Sequence, residues 1–160
     1  MITIRTYTEA DTKAVIDLVL RCQNDGTRPH VTVDDQPELL HIREHYLKNG
    51  GNFWVAEDEE KIIGSIALMN CGDGIAVLKK FFVGESYRGR PFHLGRRLYA
   101  VLLNFAQEQG IKKLLLDTPK NTKRAHRFYE KAGFQKIEEN QLPVVYDYPY
   151  ENSDFFSLEL

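Results

Sequence analysis

The chain has 160 residues, 42% of them hydrophobic, which suits one domain spanning 1–160 around a buried core. Its 23 acidic residues nearly balance 21 basic ones. The resulting net charge of −2 supplies no overall field for holding nucleic acid or an anionic membrane, so any polyanion site must be local.

Cys22 and Cys71 stand far apart with no paired ligands nearby, which suggests neither a disulfide framework nor a zinc site but two reduced thiols. The start, MITIRTYTEADTK, is too polar for a signal-peptide core. No apolar run approaches the roughly 18 residues of a membrane span, so a soluble cytoplasmic protein is expected.

A first strand is expected at 2–6. Thr8-x-x-Asp11 then reads as a capping box, and Ala10, Ala14, Val15, Leu18, Val19 and Cys22 fall at helical spacing. After a polar loop through Gln36, a second helix is expected from Pro37, with Leu39, Ile42 and Tyr46 on its apolar face and Asn49-Gly50-Gly51 as its stop. Residues 53–57 and 61–69 read as a hairpin around Asp58-Glu59-Glu60, with 75–83 as the third strand of an antiparallel meander.

Leu94, Leu98, Val101, Leu102 and Phe105 define a helix that Gly110 ends, followed by a buried strand at 113–117. A last helix over about 122–131 carries Ala125, Phe128, Tyr129 and Ala132 on one face. Residues 134–137 and 154–160 supply closing strands. Strands and helices in this order give an α/β (α+β) domain with a mixed sheet.

Between the third strand and the following helix lies YRGRPFHLGRRL, residues 87 to 98. Lys79, Lys80, Arg88, Arg90, Arg96 and Arg97 gather there, with Glu85 the one acid between positions 79 and 97. Free N–H groups and the dipole at a helix start favour an anion, and a phosphate is the natural guest, although long basic side chains also simply solvate helix ends.

FFVGESYRGRPFHLGRRLYAVLLNFA, residues 81 to 106, resembles the signature region of the GNAT superfamily of acyl-CoA N-acyltransferases, whose pattern is R/Q-x-x-G-x-G/A between a strand and a helix. RAHRFYEKAGF, residues 124 to 134, is similar to that superfamily's A-x-x-F-Y-E-K-x-G-F segment. Two matched segments in the right order, each on the expected element, are far more specific than one. Arg88 matches the leading R/Q, Gly89 and Arg90 the next two positions, and Leu94-Gly95 the last two. This leaves His93 at the position of the missing glycine and Pro91-Phe92 inserted, so the loop reads as a lengthened one.

The resemblance implies a mostly antiparallel mixed sheet flanked by helices on both faces, with acetyl-CoA as acyl donor between two splayed strands. Phe82 and Val83 would meet the pantetheine arm, and a backbone N–H near Val83 would face the oxyanion. Arg88, Gly89, Arg90, His93, Leu94, Gly95 and Arg96 would surround the pyrophosphate. Asn121, one place ahead of the family's usual asparagine, and Phe128 are also assigned to the cofactor. Tyr129 corresponds to the tyrosine that protonates the departing thiolate.

A phenol of pKa about 10 is a weaker acid than a thiol of about 8.5, so a hydrogen bond suffices for that role. The acceptor would be the primary amine of a small molecule or peptide, attacking directly. Its proton needs a receiver, for which Glu57, Glu85, Asp117 and His126 are the polar candidates and a chain of water molecules would serve equally.

Asp34, Asp35, Glu38 and Glu44 would suit a cationic acceptor, or form a solvated face. His41 and His45 stand at i and i+4 without a third ligand, and no metal is expected. The tyrosine-rich stretch before the last strand either folds as a lip over the acceptor site or is a plain loop.

The leading reading is an N-acetyltransferase. Its alternative is a non-catalytic module that senses acyl-CoA, motivated by the altered loop and the lack of an evident base. Nucleic-acid binding is disfavoured by the near-neutral charge. Oligomeric state stays open, a homodimer included.

Overall fold

In the computed structural model, which describes residues 1–160, β1 (Ile2–Thr6), β2 (Asn52–Asp58), β3 (Lys61–Gly72) and β4 (Ile75–Val83) form the expected antiparallel meander. β5 (Lys113–Pro119) joins β4 in parallel, and β7 (Ser153–Glu159) enters antiparallel between β5 and β6 (Gln135–Ile137). The sheet order is β1-β2-β3-β4-β5-β7-β6.

Helices cover both faces because the strands alternate apolar residues to both. α3 (Leu94–Glu108) and α4 (Lys123–Lys131) pack on one face, where Leu98, Leu102, Ile66, Leu68 and Phe156 are buried. Each such side chain contributes roughly 1.5–3 kcal/mol. α1 (Thr12–Gln23) packs on the other through Val15 and Val19, against Phe53, Val55 and Ala67. Its start follows the capping box: the Thr8 N–H donates to Asp11 at 2.8 Å, and Asp11 in turn accepts from Arg5 at 2.8 Å.

The continuous second helix expected from Pro37 is instead three short turns: a 3₁₀ turn at Pro37–Leu40, α2 (Ile42–His45) and a 3₁₀ turn at Leu47–Asn49. His41 breaks it, with φ −138° and ψ 46°. Leu39, Ile42 and Tyr46 are nevertheless fully buried, as their spacing requires. The segment before the break is tied to β4 through Gln36 and Glu38, described below. Gly50 ends the segment at φ 82°.

β4 and β5 pair only over Ile75–Val77 and Lys113–Leu115. Beyond these, β4 has no strand partner on that edge. The cause lies in β4 itself: opposite Ala67 and Ser65 of β3 the register slips, and Lys80 takes a left-handed φ of 52°. An extra residue of this kind bends a strand and raises its twist. The bulge is stabilised by Ser65, whose hydroxyl donates to the Lys80 carbonyl at 2.7 Å.

Candidate active site

The divergence of β4 and β5 opens a cleft with a cavity volume of about 90 Å³. Leu78–Phe82 form one wall and Asp117–Pro119 the other. Ala125 and Tyr129 of α4 close it on one side of the sheet, and Gln23, Arg28, Pro149 and Tyr150 on the other.

Because the bulge breaks the alternation of β4, Lys79 and Lys80 both turn to the α1 side. Lys80 is nearly buried, bonds the Gln36 side chain and lies 3.1 Å from Glu38. Burial lowers its pKa, and Glu38 offsets this only in part. Lys79 donates to the Asp147 carbonyl at 2.9 Å, with its ammonium 5.7 Å from the Tyr146 ring centroid. That tie seats residues 146–150 over the cleft, so the tyrosine-rich stretch forms the lip: Tyr146 packs on Val77 and Leu115, and Tyr150 lines the cleft.

Tyr129 is 7% exposed among Phe81, Phe128, Phe134 and Phe156, and lines the cleft. Burial, then the charge of Asp117, pushes its pKa well above the usual tyrosine value, which keeps the phenol protonated as a donor. Burial also pushes the Asp117 carboxyl up, against the opposing pull of Lys79. The buried Tyr146 hydroxyl beside Asp117 has no hydrogen-bond partner of good geometry.

The lengthened loop leaves β4 at Val83. The Gly84 N–H donates back to Ile63 of β3, so alternation turns the Val83 carbonyl away from β3, where it accepts from Arg88 Nε at 3.0 Å. Arg88 is thus folded back on the strand end, near Cys22, whose thiol is pushed up by burial. Gly89 has φ 69°, and no atom lies within 4 Å of where a Cβ would stand, so the glycine answers a conformational need alone.

After a cis Arg90–Pro91 peptide, His93 takes a left-handed φ of 47° and precedes α3. Its N–H donates to the Gly89 carbonyl at 3.0 Å, and its own carbonyl accepts the first intrahelical bond, from Arg97 at 3.1 Å. The N–H groups of Leu94, Gly95 and Arg96 precede that bond, as helix geometry leaves them. His93 therefore occupies the conformation that a glycine adopts most readily, and histidine is among the residues that tolerate it. Arg90 and Arg96 are exposed, whereas Arg97 donates to the Ile2 carbonyl at 3.3 Å, toward β1.

Of the remaining sequence candidates, Phe82 lines the cleft and Phe128 stacks edge-on against Phe81 at 5.4 Å. Asn121 is exposed in the β5–α4 turn. The next residue, Thr122, caps the turn by donating to the Pro119 carbonyl at 2.7 Å.

Among the four polar candidates for proton receiver, Asp117 lines the cleft. Glu57 pairs with Arg5 toward the β1 edge, Glu85 is exposed, and His126 faces the Pro119 carbonyl and Asp154. The acidic stretch does not gather as a pocket: Glu38 turns to Lys80, Asp35 accepts from the Thr32 N–H, and Asp34 and Glu44 are exposed. His41 is exposed and His45 packs against Tyr46. Arg28 and Gln23 carry no motif, and nothing in a polar loop or at a helix end marks them as cleft residues before the sheet is assembled.

Residues 14–134 match the model of the acetyltransferase (GNAT) family. An acetyltransferase from Streptococcus agalactiae 2603 of known crystal structure is 36% identical, with a TM-score of 0.94 over 99% of this chain and 98% of that one. A GNAT-family acetyltransferase from Staphylococcus aureus Mu50 is 29% identical, with a TM-score of 0.91 over 99% of each chain. The probable N-acetyltransferase camello of Xenopus tropicalis is 28% identical over 115 residues, covering 69% of this chain and 52% of that protein. The chain spans about half the length of the curated relatives it matches. On the extent of the family match and the superposition of whole chains, this protein belongs to the GNAT acetyltransferase family.

Proposed function

We propose that the protein is an N-acetyltransferase that moves an acetyl group from acetyl-CoA to a primary amine by direct attack in a ternary complex, in the cytoplasm. The observation that carries this reading is the wedge between β4 and β5, with a buried tyrosine of α4 closing one side and a carboxyl group on the β5 wall. The free edge of β4 and the unbonded N–H groups of Leu94, Gly95 and Arg96 fit an extended, phosphate-bearing acyl donor. Arg90 and Arg96 add positive charge at the surface of the same loop.

The donor supplies a thioester carbonyl. The acceptor nitrogen forms the new C–N bond as the C–S bond breaks, so one proton leaves the amine and the sulfur departs as a thiolate. Asp117 receives the amine proton, its raised pKa making it the stronger base. Tyr129 donates a hydrogen bond to the departing sulfur, and the proton completing the thiol comes from solvent.

Thermal unfolding with and without excess acetyl-CoA, using NAD and ATP as phosphate-bearing controls, tests the donor site. At about 100 times Kd a ligand adds roughly 2.7 kcal/mol, a rise of several degrees for a chain of this size. A rise specific to acetyl-CoA supports the reading, and no rise removes it.

A further inference from the structure

We propose that the acceptor is a small amine that also carries a carboxylate, the carboxylate seating between the guanidinium of Arg28 and the hydroxyl of Tyr150 while its amine faces Asp117. The inference rests on the acyl-transfer reading above and deepens it.

Four positions decide the charge of the cleft. Lys80 is matched by Glu38 at 3.1 Å, and Lys79 is bound to the Asp147 carbonyl and the Tyr146 ring, on the side of Asp117. Arg28 is left over. It lines the cleft with its guanidinium 5.9 Å from the Phe82 ring centroid and beside the Tyr150 hydroxyl, makes no ion pair, and its Nε is buried without a partner. Beside it, Tyr150 is 5% exposed and lines the same cleft, its buried hydroxyl close to the Arg28 guanidinium but without a hydrogen-bond partner of good geometry.

Buried N–H and O–H groups are rarely left unpaired, and a planar donor fork next to a phenol is the arrangement that takes a carboxylate. Arg28, the cation of the cleft without an ion pair or a carbonyl partner, matches one carboxylate, and Asp117 faces the ammonium end. A polycationic acceptor would instead bring its charge against Arg28.

The test measures thiol release from acetyl-CoA with a panel of the common amino acids, each beside its amide and its decarboxylated amine. Acids are expected to be turned over at least tenfold better, in kcat/KM, than the matching amides and amines that lack the carboxylate. Arg28→Gln should raise KM for the acid by about 10- to 100-fold, the range of a charged hydrogen bond, leaving KM for acetyl-CoA unchanged. Arg28→Lys should restore part of it.

The proposal is overturned if amides or simple amines serve as well, or if no acid is turned over by protein that acetyl-CoA stabilises. It is equally overturned if Arg28→Gln acts on KM for acetyl-CoA instead. Failure of acetyl-CoA to stabilise the protein at all would mark the failure of the acyl-transfer reading itself, and so remains distinguishable.

Discussion

The Lys80 ammonium lies 3.1 Å from the Glu38 carboxylate with side chains only 3% and 14% exposed, at the point where β4 bulges away from β5. The pair is the electrostatic cost of placing two lysines on one face of a strand. Removing one partner of a buried pair costs about 3 kcal/mol, because the other charge is stranded.

Glu38→Gln should therefore lower the unfolding free energy by about that amount at neutral pH. Lys80 already has a lowered pKa, and in the variant it loses the partner that opposed the drop, so the deficit should shrink as pH rises and Lys80 sheds its proton. In the wild type the sign is opposite at the acid end. Burial works to raise the pKa of Glu38, but Lys80 and Lys79 outweigh it and hold it below its usual value. The stability it confers is present above the ordinary glutamate pKa and is lost as pH falls through the folded value. Denaturant unfolding at several pH values measures both slopes, and a deficit independent of pH would contradict the account.

How much of this was legible in advance follows from the range of each interaction. Leu98 and Leu102, or Val15 and Val19, announce their helices because a period of 3.6 is written within a few residues. The break at His41 was not legible, and the contacts just ahead of it, from Gln36 and Glu38 to Lys80, span more than forty positions. Gly89 and the basic loop identify themselves locally, whereas Arg28 and Tyr150 meet only after α1 and the final loop fold onto the same side of the sheet. The left-handed turn of His93 falls between these cases: the missing glycine was visible, but not that histidine would keep its conformation.

Tyr129→Phe should preserve acetyl-CoA affinity and lower kcat by roughly 10- to 100-fold, the worth of a hydrogen bond to a developing charge. The phenol is buried and makes no hydrogen bond that holds the fold together, so the melting temperature should hardly change. Steady-state kinetics beside a thermal scan separate the two effects, and unchanged turnover would remove Tyr129 from the chemistry.

Asp117→Asn should trade activity for stability. The folded protein holds the Asp117 proton above the usual carboxylate range because burial disfavours the charge, so the stability linked to that proton is complete below the unfolded pKa and lost as pH rises through the folded one. At neutral pH the wild type therefore carries an ionised group that folding disfavours. The asparagine variant should unfold at an equal or higher temperature while losing at least a hundredfold in kcat/KM, in the range of general-base catalysis. The wild-type acid limb of kcat/KM should lie above the ordinary aspartate range and vanish in the residual activity of the variant.

The loop before α3 allows a paired test, because Gly89 and His93 both hold left-handed backbone and differ only in who supplies it. Gly89→Ala adds a methyl that meets no atom within 4 Å, so its whole cost is conformational, about 1 kcal/mol. His93→Gly relieves strain of similar size but loosens the unfolded chain, so the two nearly cancel and stability should stay within about 0.5 kcal/mol of the wild type. On the proposed reading, in which the loop binds the donor through backbone N–H groups, acetyl-CoA affinity should fall in Gly89→Ala and persist in His93→Gly. Calorimetric titration decides it: a loss of affinity confined to His93→Gly would mean that the imidazole itself contacts the phosphate, and the loop would then bind by a side chain instead of by its backbone.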